Sequence, residues 1–126
     1  MIIDTSALVA VLRAEPAAPD VARALEKERT LRISAATLVE AYLVVGPERE
    51  KDLEELLALT GTSIEPVDAA HARLARDAHR RFGRGTGHRA RLNYGDCFSY
   101  ACAAAFDEPL LFIGDDFPHT DIRPAI

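Results

Sequence analysis

The sequence has few of the residues that form disulfides or bind metal ions in small proteins. Its two cysteines and four histidines match no zinc-binding spacing. Cys97 and Cys102 lie in one predicted helix and point to different faces, so we expect no disulfide and a cytoplasmic location. The longest apolar runs, such as residues 7–12, are too short to cross a bilayer, and no basic secretory leader is recognisable. We therefore expect no membrane association.

Lysine is also scarce, because 13 of the 15 basic residues are arginine and the net charge is −5. A nucleic-acid-binding footprint over the whole surface is therefore excluded. The positive charge is concentrated in residues 79–91, which carry five arginines, two histidines and no acid and leave −10 for the rest of the chain. Arginine suits bidentate contacts with phosphate or carboxylate. A GC-rich genome is an equally simple explanation.

The pattern of apolar residues predicts alternating strands and helices. A chain of 126 residues, 48% of them apolar, fits one folded domain over residues 1–126. Strands are predicted at residues 1–4, 31–33, 62–66, 110–113 and 121–123, and helices at 6–14, 20–29, 34–45, 48–59, 68–82 and 93–106. This order predicts a three-layer α/β/α sandwich with a mainly parallel sheet. The uncharged strand 110–113 is predicted to be central.

Acidic residues occur where the carboxyl edge of this sheet is expected. Asp4 follows the first strand, Asp115 and Asp116 follow strand 110–113, and Asp96 lies in the first turn of a helix. Ligands of open α/β sheets bind at that edge. Glu40 lies in the middle of an apolar helix, where an unpaired carboxylate is costly.

Each acid also has an explanation without function. Asp4 could cap a helix, Asp96 could offset a helix dipole, Asp115 and Asp116 could form a turn, and Glu40 could pair with an arginine. Together, however, carboxylates about 4 Å apart repel by about 4 kcal/mol per pair at an effective dielectric constant near 20. Either an arginine or a divalent cation could offset that repulsion. Mg²⁺ or Mn²⁺ prefers such oxygen ligands and supports phosphodiester cleavage.

Other chemistries have little support in the sequence. There is no Walker loop or dinucleotide-binding glycine motif, and no serine lies in a nucleophile elbow. A phosphatase with an aspartyl nucleophile of the dehalogenase-like kind would need an acid two residues after Asp4, where Ser6 stands. Three hypotheses remain: a metal-dependent nuclease, a binding module without turnover, and a magnesium-dependent phosphatase acting on small substrates.

Four segments, in order along nearly the whole chain, resemble one known family. They are IDTSALVAVL with Asp4, SAATLVEAYLVV with Glu40, GRGTGHRARLNYGDCFSYACA with Asn93, Gly95 and Asp96, and PLLFIGDDFPHTDI. The sequence thereby resembles the PIN-domain family and, within it, the VapC-like toxins of toxin–antitoxin pairs.

The resemblance implies a PIN fold and a metal-dependent endoribonuclease that cleaves single-stranded or structured RNA. It implies Mg²⁺ or Mn²⁺ as the cofactor, homodimerisation, and inhibition by a VapB-like antitoxin. The implied catalytic and metal-binding acids are Asp4, Glu40, Asp96 and Asp116, with Asp115 binding metal through water. The alternative is a PIN-like module that binds RNA or protein without catalysis.

Supporting roles are predicted for three polar residues near these acids. Thr5 and Ser6 could donate to the acids or to a metal-bound water, and Asn93 could orient Asp96. Ser6 and Asn93 are equally candidates for helix N-caps. His88 and His119 are possible acid–base groups, although a metal mechanism does not need them.

Two surfaces are candidates for partner binding. Arg84, Arg89 and Arg91 could contact RNA phosphates or antitoxin acids, or could simply belong to a solvated loop. Helix 34–45 is apolar on almost every side, which is typical of a buried helix or an interface. It could therefore belong to the core, to a dimer interface, or to a groove for an amphipathic antitoxin helix.

Overall fold

The computed structural model describes all 126 residues and contains one four-stranded parallel sheet. The strands are β1 (Ile2–Ile3), β2 (Arg32–Ser34), β3 (Ser63–Glu65) and β4 (Leu110–Leu111), in the spatial order β3-β2-β1-β4. Ile2 lies between Arg32 and Leu110 in the register. The predicted parallel sheet is confirmed.

Six helices flank the sheet. They are α1 (Thr5–Leu12), α2 (Ala18–Lys27), α3 (Ala35–Val45), α4 (Glu50–Thr60), α5 (Ala69–Phe82) and α6 (Tyr94–Phe106), and short 3₁₀ turns cover Pro47–Arg49 and Phe117–His119. Ser34, Asp68 and Asn93 cap α3, α5 and α6 by accepting hydrogen bonds from backbone N–H groups. Gly61 ends α4 with a φ of 63°, which suits glycine.

Two apolar clusters lie on the two faces of the sheet. Ile3 and Leu111 belong to the cluster formed with α1 to α4, whereas Ile2 and Leu110 belong to the cluster formed with α5 and α6. Neighbouring strand residues point to opposite faces, so each two-residue strand contributes to both clusters. This confirms the predicted three-layer α/β/α sandwich. No helix combines the length and the apolar character that crossing a bilayer requires.

Three local predictions were wrong. Residues 121–123 form no strand, and only an isolated bridge joins Leu110 to Pro124, through the Arg123 carbonyl oxygen and the Ala125 N–H. Strand β4 therefore lies at the edge of the sheet, although both its residues are fully buried. Helix α1 is capped by Asp4 and not by Ser6, because the Asp4 side chain accepts from the Ser6 N–H.

The parallel arrangement brings the carboxyl ends of the strands to one edge. Asp4 follows β1 directly, α3 begins immediately after β2, and the turn with Asp115 and Asp116 follows β4. At the N-terminal end of α6, the loop of residues 83–93 leads into the helix that carries Asp96. Cys97 and Cys102 form no disulfide, as expected from their spacing, and both are buried.

Candidate active site

Asp4 is fixed by hydroxyl groups from two helices. Its Oδ1 accepts a hydrogen bond from Ser99 Oγ at 2.6 Å, and its Oδ2 accepts from Ser6 Oγ at 2.6 Å and from the Ser6 backbone N–H at 2.9 Å. The residue is 4% exposed. Three donors to one carboxylate hold it in a fixed orientation.

These hydroxyl groups are themselves held in place. Ser99 Oγ lies 3.0 Å from Thr37 Oγ1, and both residues are completely buried. Ser6 Oγ accepts from the Ile113 backbone N–H at 3.0 Å. The Asp4 carboxylate is thus connected to α3, to α6 and to the chain that leaves β4.

Glu40 approaches the start of α6 closely. Its Oε2 accepts from Thr5 Oγ1 at 2.8 Å, and the Thr5 hydroxyl also lies 3.3 Å from the Thr37 carbonyl oxygen. A Cβ atom added to Gly95 would lie 2.6 Å from Glu40 Cδ, which is too close. The absence of a side chain at Gly95 therefore lets the Glu40 carboxylate lie beside the residue that precedes Asp96.

Asp96 occupies the first turn of α6 in a capping box. Its Oδ2 accepts from the Asn93 backbone N–H at 2.7 Å, and its own N–H donates to Asn93 Oδ1 at 2.9 Å. Burial, helped by the charges of Asp4, Asp116 and Glu40, raises the pKa of Asp96 to about 7 against the lowering effect of the Asn93 hydrogen bond. Four acids from separate segments therefore act on one another electrostatically.

No basic side chain neutralises this group. Asp4, Glu40, Asp96, Asp115 and Asp116 take part in none of the ion pairs of the structure. The explanation of Glu40 as the partner of an arginine was therefore wrong. The carboxylate oxygens of the group are of the donor type that a hard divalent cation such as Mg²⁺ or Mn²⁺ prefers.

The side chains do not form a closed metal cage by themselves. No three Asp, Glu, His or Cys side chains are close enough together to hold an ion. Mg²⁺ usually keeps several of its waters and needs only one or two protein carboxylates. The arrangement therefore fits a partly hydrated ion better than one fully surrounded by protein ligands.

The two acids after β4 lie on an exposed turn, and one of them acts on Asp96. Asp115 and Asp116 are both exposed on the turn that follows Gly114. Asp116 is among the charges that raise the pKa of Asp96. The choice of Asp116 over Asp115 as the fourth acid stays a prediction.

The three predicted arginines lie at or near the start of α6. Arg84, Arg89 and Arg91 are exposed and form no ion pair with the protein. Arg84 lines a groove of about 470 Å³ between α5 and α6, and Asn93 lines the same groove. The free guanidinium groups are therefore available to an anionic partner.

The two histidine candidates have no contact with the acids. His88 Nδ1 accepts from the Ala90 N–H at 3.1 Å, and the ring packs edge-on against Phe82 with centroids 5.1 Å apart. His119 ends the 3₁₀ turn after Asp116 and makes no hydrogen bond. His88 therefore has a structural role in the loop, and neither imidazole donates to or accepts from a carboxylate of the cluster.

Helix α3 is only half covered. Leu38, Ala41 and Val45 are buried, whereas Val39 and Leu43 are 58% and 78% exposed. Glu40 lies between these faces and is partly buried. One face of α3 thus belongs to the core, whereas the predicted dimer interface or antitoxin groove on its exposed face stays a prediction.

Sequence reasoning missed Ser99 and Thr37. Ser99 lies three residues after Asp96, so the two share one face of α6, and this spacing was the available signal. Thr37 lies three residues before Glu40 on α3 and so offered the same spacing signal, although its contact with Ser99, 62 residues away, is visible only in the structure. Thr5, Ser6 and Asn93 all donate to or accept from the site as predicted, and both Asn93 and Asp4 are also helix caps.

Comparisons with known proteins agree with this architecture. The PIN domain family matches residues 1–123. Ribonuclease VapC42 of Mycobacterium tuberculosis is 49% identical over 99% of this chain and 98% of its own length. Ribonuclease VapC28 of the same organism is 45% identical, covering all of this chain and 98% of the relative.

A solved structure supports the fold independently. The crystal structure of VapC20 from Mycobacterium tuberculosis, described as a toxin that cleaves the sarcin–ricin loop, aligns with a TM-score of 0.73 at 18% identity. The alignment covers 98% of both chains. The sheet, the acids at its carboxyl edge and nearly full-length similarity to VapC ribonucleases lead to one conclusion: the chain belongs to the PIN domain family and is a VapC-like member of it.

Proposed function

We propose that this protein is an endoribonuclease toxin of a toxin–antitoxin pair and that it hydrolyses RNA with the help of Mg²⁺ or Mn²⁺. The observation that carries the metal dependence is the convergence of Asp4, Glu40 and Asp116 on Asp96 without any neutralising basic side chain. The names of the VapC ribonuclease relatives support the choice of RNA as substrate.

Asp4, Glu40, Asp96 and Asp116 would hold the cation, directly or through its retained waters, and Asp115 would contact it through water. There it would supply Lewis acidity toward the phosphate and toward the attacking water. The chain itself positions the acids. Ser99 and Ser6 fix both oxygens of Asp4, and Thr5 fixes Glu40. No protein nucleophile is required.

The basic loop would bind the substrate. Arg84, Arg89 and Arg91 lie in the segment that leads to Asn93 and Asp96, and none has an acidic partner in the protein. Guanidinium groups bind phosphates with matched geometry. RNA phosphates would therefore be held beside the acids, and the same arginines would serve an acidic segment of the antitoxin.

We further propose partners and a location. The exposed α3 residues Val39, Leu43 and Val44 would form the homodimer interface, because apolar side chains this exposed are unusual on one face of a short helix. A VapB-like antitoxin would inhibit the enzyme. Two buried free cysteines suit the reducing cytoplasm.

The test is cleavage of RNA by the purified protein. We expect cutting with Mg²⁺ or Mn²⁺, none after chelation by EDTA, and a loss of at least 100-fold in Asp4→Asn and Asp96→Asn, because each removes a charged ligand. Asp52→Asn changes an exposed acid on α4 and serves as the matched control. Full activity of both site variants would refute the assignment.

Two further measurements separate the alternatives. A binding module would retain RNA without producing new ends, whereas a phosphatase would prefer a chromogenic phosphate monoester to RNA. Calorimetry with Mn²⁺ should give heat that Asp4→Asn removes. Metal binding without turnover of either substrate would favour the module.

A further inference from the structure

A groove between α5 and α6 is not used by the proposed chemistry. It has a volume of about 470 Å³, within the range of roughly 300–1,000 Å³ that is typical of small-molecule sites. Its floor contains the buried residues Ala75, Leu92 and Cys97, and its exposed rim includes Ala72. The floor is therefore apolar and fits a flat, weakly polar group.

Two aromatic rings form one wall of the groove. Tyr94 is 81% exposed, and its ring meets Phe98 edge to face with centroids 4.9 Å apart and planes at 77°. An exposed aromatic ring is a sequence-tolerant platform on which a base can stack. Because the Phe98 contact orients Tyr94, the platform exists before a ligand arrives.

Basic side chains surround the groove, and no acid lines it. Arg76, His79 and Arg84 are among its lining residues. Gly83 lies so close to the His79 ring that a Cβ atom there would overlap it, which fixes the imidazole beside the loop. Arg76 also pairs with Asp77 at 3.0 Å, whereas Arg84 has no acidic partner. In a chain of net charge −5, this local excess favours a ligand with phosphate groups.

The groove adjoins the acid cluster. Asn93, Tyr94 and Phe98 line it and also line a second cavity of about 350 Å³ that contains Glu40. The start of α6 therefore separates an acidic site from an apolar, basic-rimmed one. A strand whose phosphate lies at the acids has a neighbouring nucleotide within reach of the groove.

We propose that this groove is a nucleobase subsite, in which one unpaired base of the RNA stacks on Tyr94 while Arg84 and His79 contact its phosphates. The proposal rests on the proposed ribonuclease function and adds a determinant of substrate choice. Because a base must leave its helix to enter, the subsite would favour unpaired segments over duplex RNA.

A titration followed by NMR tests the groove without requiring cleavage. The four nucleoside 5′-monophosphates are each added to the metal-free protein, with ribose 5-phosphate as the matched ligand without a base. We expect at least one nucleotide to shift the amide signals of residues 72–79 and 94–98, and ribose 5-phosphate to shift only loop signals. Ala72→Leu should abolish the groove shifts, and Ala70→Leu, which is exposed on the same helix outside the groove, should retain them.

Two results would overturn the subsite. One is that the nucleotides and ribose 5-phosphate shift the same signals or leave the groove unchanged. The other is that the groove signals still shift on dilution alone in the Leu43→Glu variant, in which the proposed α3 interface is removed, because a second copy of the chain would then occupy the groove.

Kinetics with RNA distinguish this failure from that of the proposed function. We expect Ala72→Leu to raise KM for a single-stranded RNA about tenfold at unchanged kcat, and Ala70→Leu to leave KM unchanged. Wild-type protein that cuts no RNA with Mn²⁺ would refute the ribonuclease, whatever the titration gives. Wild-type cleavage with equal KM values in both variants would refute only the subsite.

Discussion

At the scale of single residues, the Asp4 carboxylate is held in place by hydrogen bonds and still has lone pairs available for a cation. Ser99 donates to one oxygen and Ser6 donates twice to the other. A carboxylate has about four lone-pair sites, so these three bonds leave room for a further contact. The hydroxyl groups therefore orient Asp4 without neutralising it, which is the requirement for a ligand that must meet a cation.

Ser99→Ala tests this orientation. The variant removes the 2.6 Å hydrogen bond to Asp4 Oδ1 in a completely buried place. We expect the free energy of unfolding to fall by about 1–3 kcal/mol, and affinity for Mn²⁺, measured by calorimetry, to fall about 10–100-fold.

The affinity for Mn²⁺ distinguishes positioning from mere stability. Ser63→Ala removes a serine on β3 that bonds to Leu31 and Glu65, away from the acids, and should leave Mn²⁺ affinity unchanged. If Ser99→Ala destabilises the fold but binds Mn²⁺ as the wild type does, Ser99 has only a structural role.

Asp96 gives the metal-free protein an unusual dependence on pH. Burial and then the neighbouring acids hold its pKa at about 7, whereas an unfolded aspartate titrates near 3.9. Between these values the folded state keeps a proton that the unfolded state has released. The stabilisation is therefore complete below about pH 4 and is lost as pH rises through about 7.

Chemical denaturation in EDTA measures this effect. From pH 5 to pH 8 we expect the free energy of unfolding to fall by about 2–3 kcal/mol, and Asp96→Asn to remove most of that fall. Glu65 and Asp121 have lowered pKa values, so they are already ionised in this window and do not offset the trend. A wild-type curve as flat as that of Asp96→Asn would contradict the raised pKa.

At the scale of elements, the close approach of α3 and α6 depends on a residue without a side chain. Gly95 has no positive φ, so the backbone conformation does not require a glycine at this position. Within a helix, alanine is more favourable than glycine by about 1 kcal/mol. The Glu40 carboxylate occupies the space that a Cβ atom would need, and this contact explains glycine here.

Gly95→Ala should separate folding from activity. The atoms in the way belong to the flexible end of Glu40, so we expect the variant to fold with stability within about 1 kcal/mol of the wild type. Displacing Glu40 from Thr5 should lower RNA cleavage at least tenfold. In a Glu40→Gln background the same change should cost no further activity, and a further loss would show that Gly95 acts by another route.

Most helices and strands were predictable because the capping and terminating residues in the sequence lie where the folded structure begins and ends these elements. Ser34, Asp68 and Asn93 are caps that the sequence reveals, and Gly61 is a clear stop. Strand β4 was misplaced because an uncharged strand is typical of a sheet centre. Here the edge is covered instead by the chain around Pro124, a long-range pairing without local signal.

The acids of the candidate site and the polar residues beside them in the sequence were predictable, whereas the supports Ser99 and Thr37 were not. Asp4, Glu40 and Asp96 stand out because carboxylates are rare in apolar segments. Ser99 and Thr37 look like ordinary small helical residues, and their bond is visible only after α3 and α6 have packed together. The groove beside Tyr94 likewise requires the spatial neighbourhood of α5 and the basic loop.

At the scale of the whole molecule, charge is separated around one edge. The chain carries −5 overall, yet the loop before α6 presents Arg84, Arg89 and Arg91 without acidic partners. An acidic protein repels RNA at a distance, so productive binding must use this loop and the neutralised acid cluster. Substrate affinity should therefore depend on the cation as well as on the arginines.

The exposed apolar face of α3 also bears on the whole molecule, because it is the proposed dimer interface. Val39, Leu43 and Val44 are between 42% and 78% exposed, next to partly buried Glu40. A second copy covering this face would bring two acid clusters close together. The proposed dimer would then shape a shared substrate surface, and its loss should affect activity as well as mass.

Leu43→Glu tests the dimer by placing a charge in the centre of that face. Sedimentation equilibrium should give a dimer for the wild type and a monomer of 13.7 kDa for the variant, because burying an unpaired carboxylate is costly. Leu59→Glu is the matched control, since Leu59 is 87% exposed on α4. Unfolding curves should coincide for both variants at low protein concentration, where the dimer contributes little. A variant that stays dimeric, or a control that dissociates equally, would place the interface elsewhere.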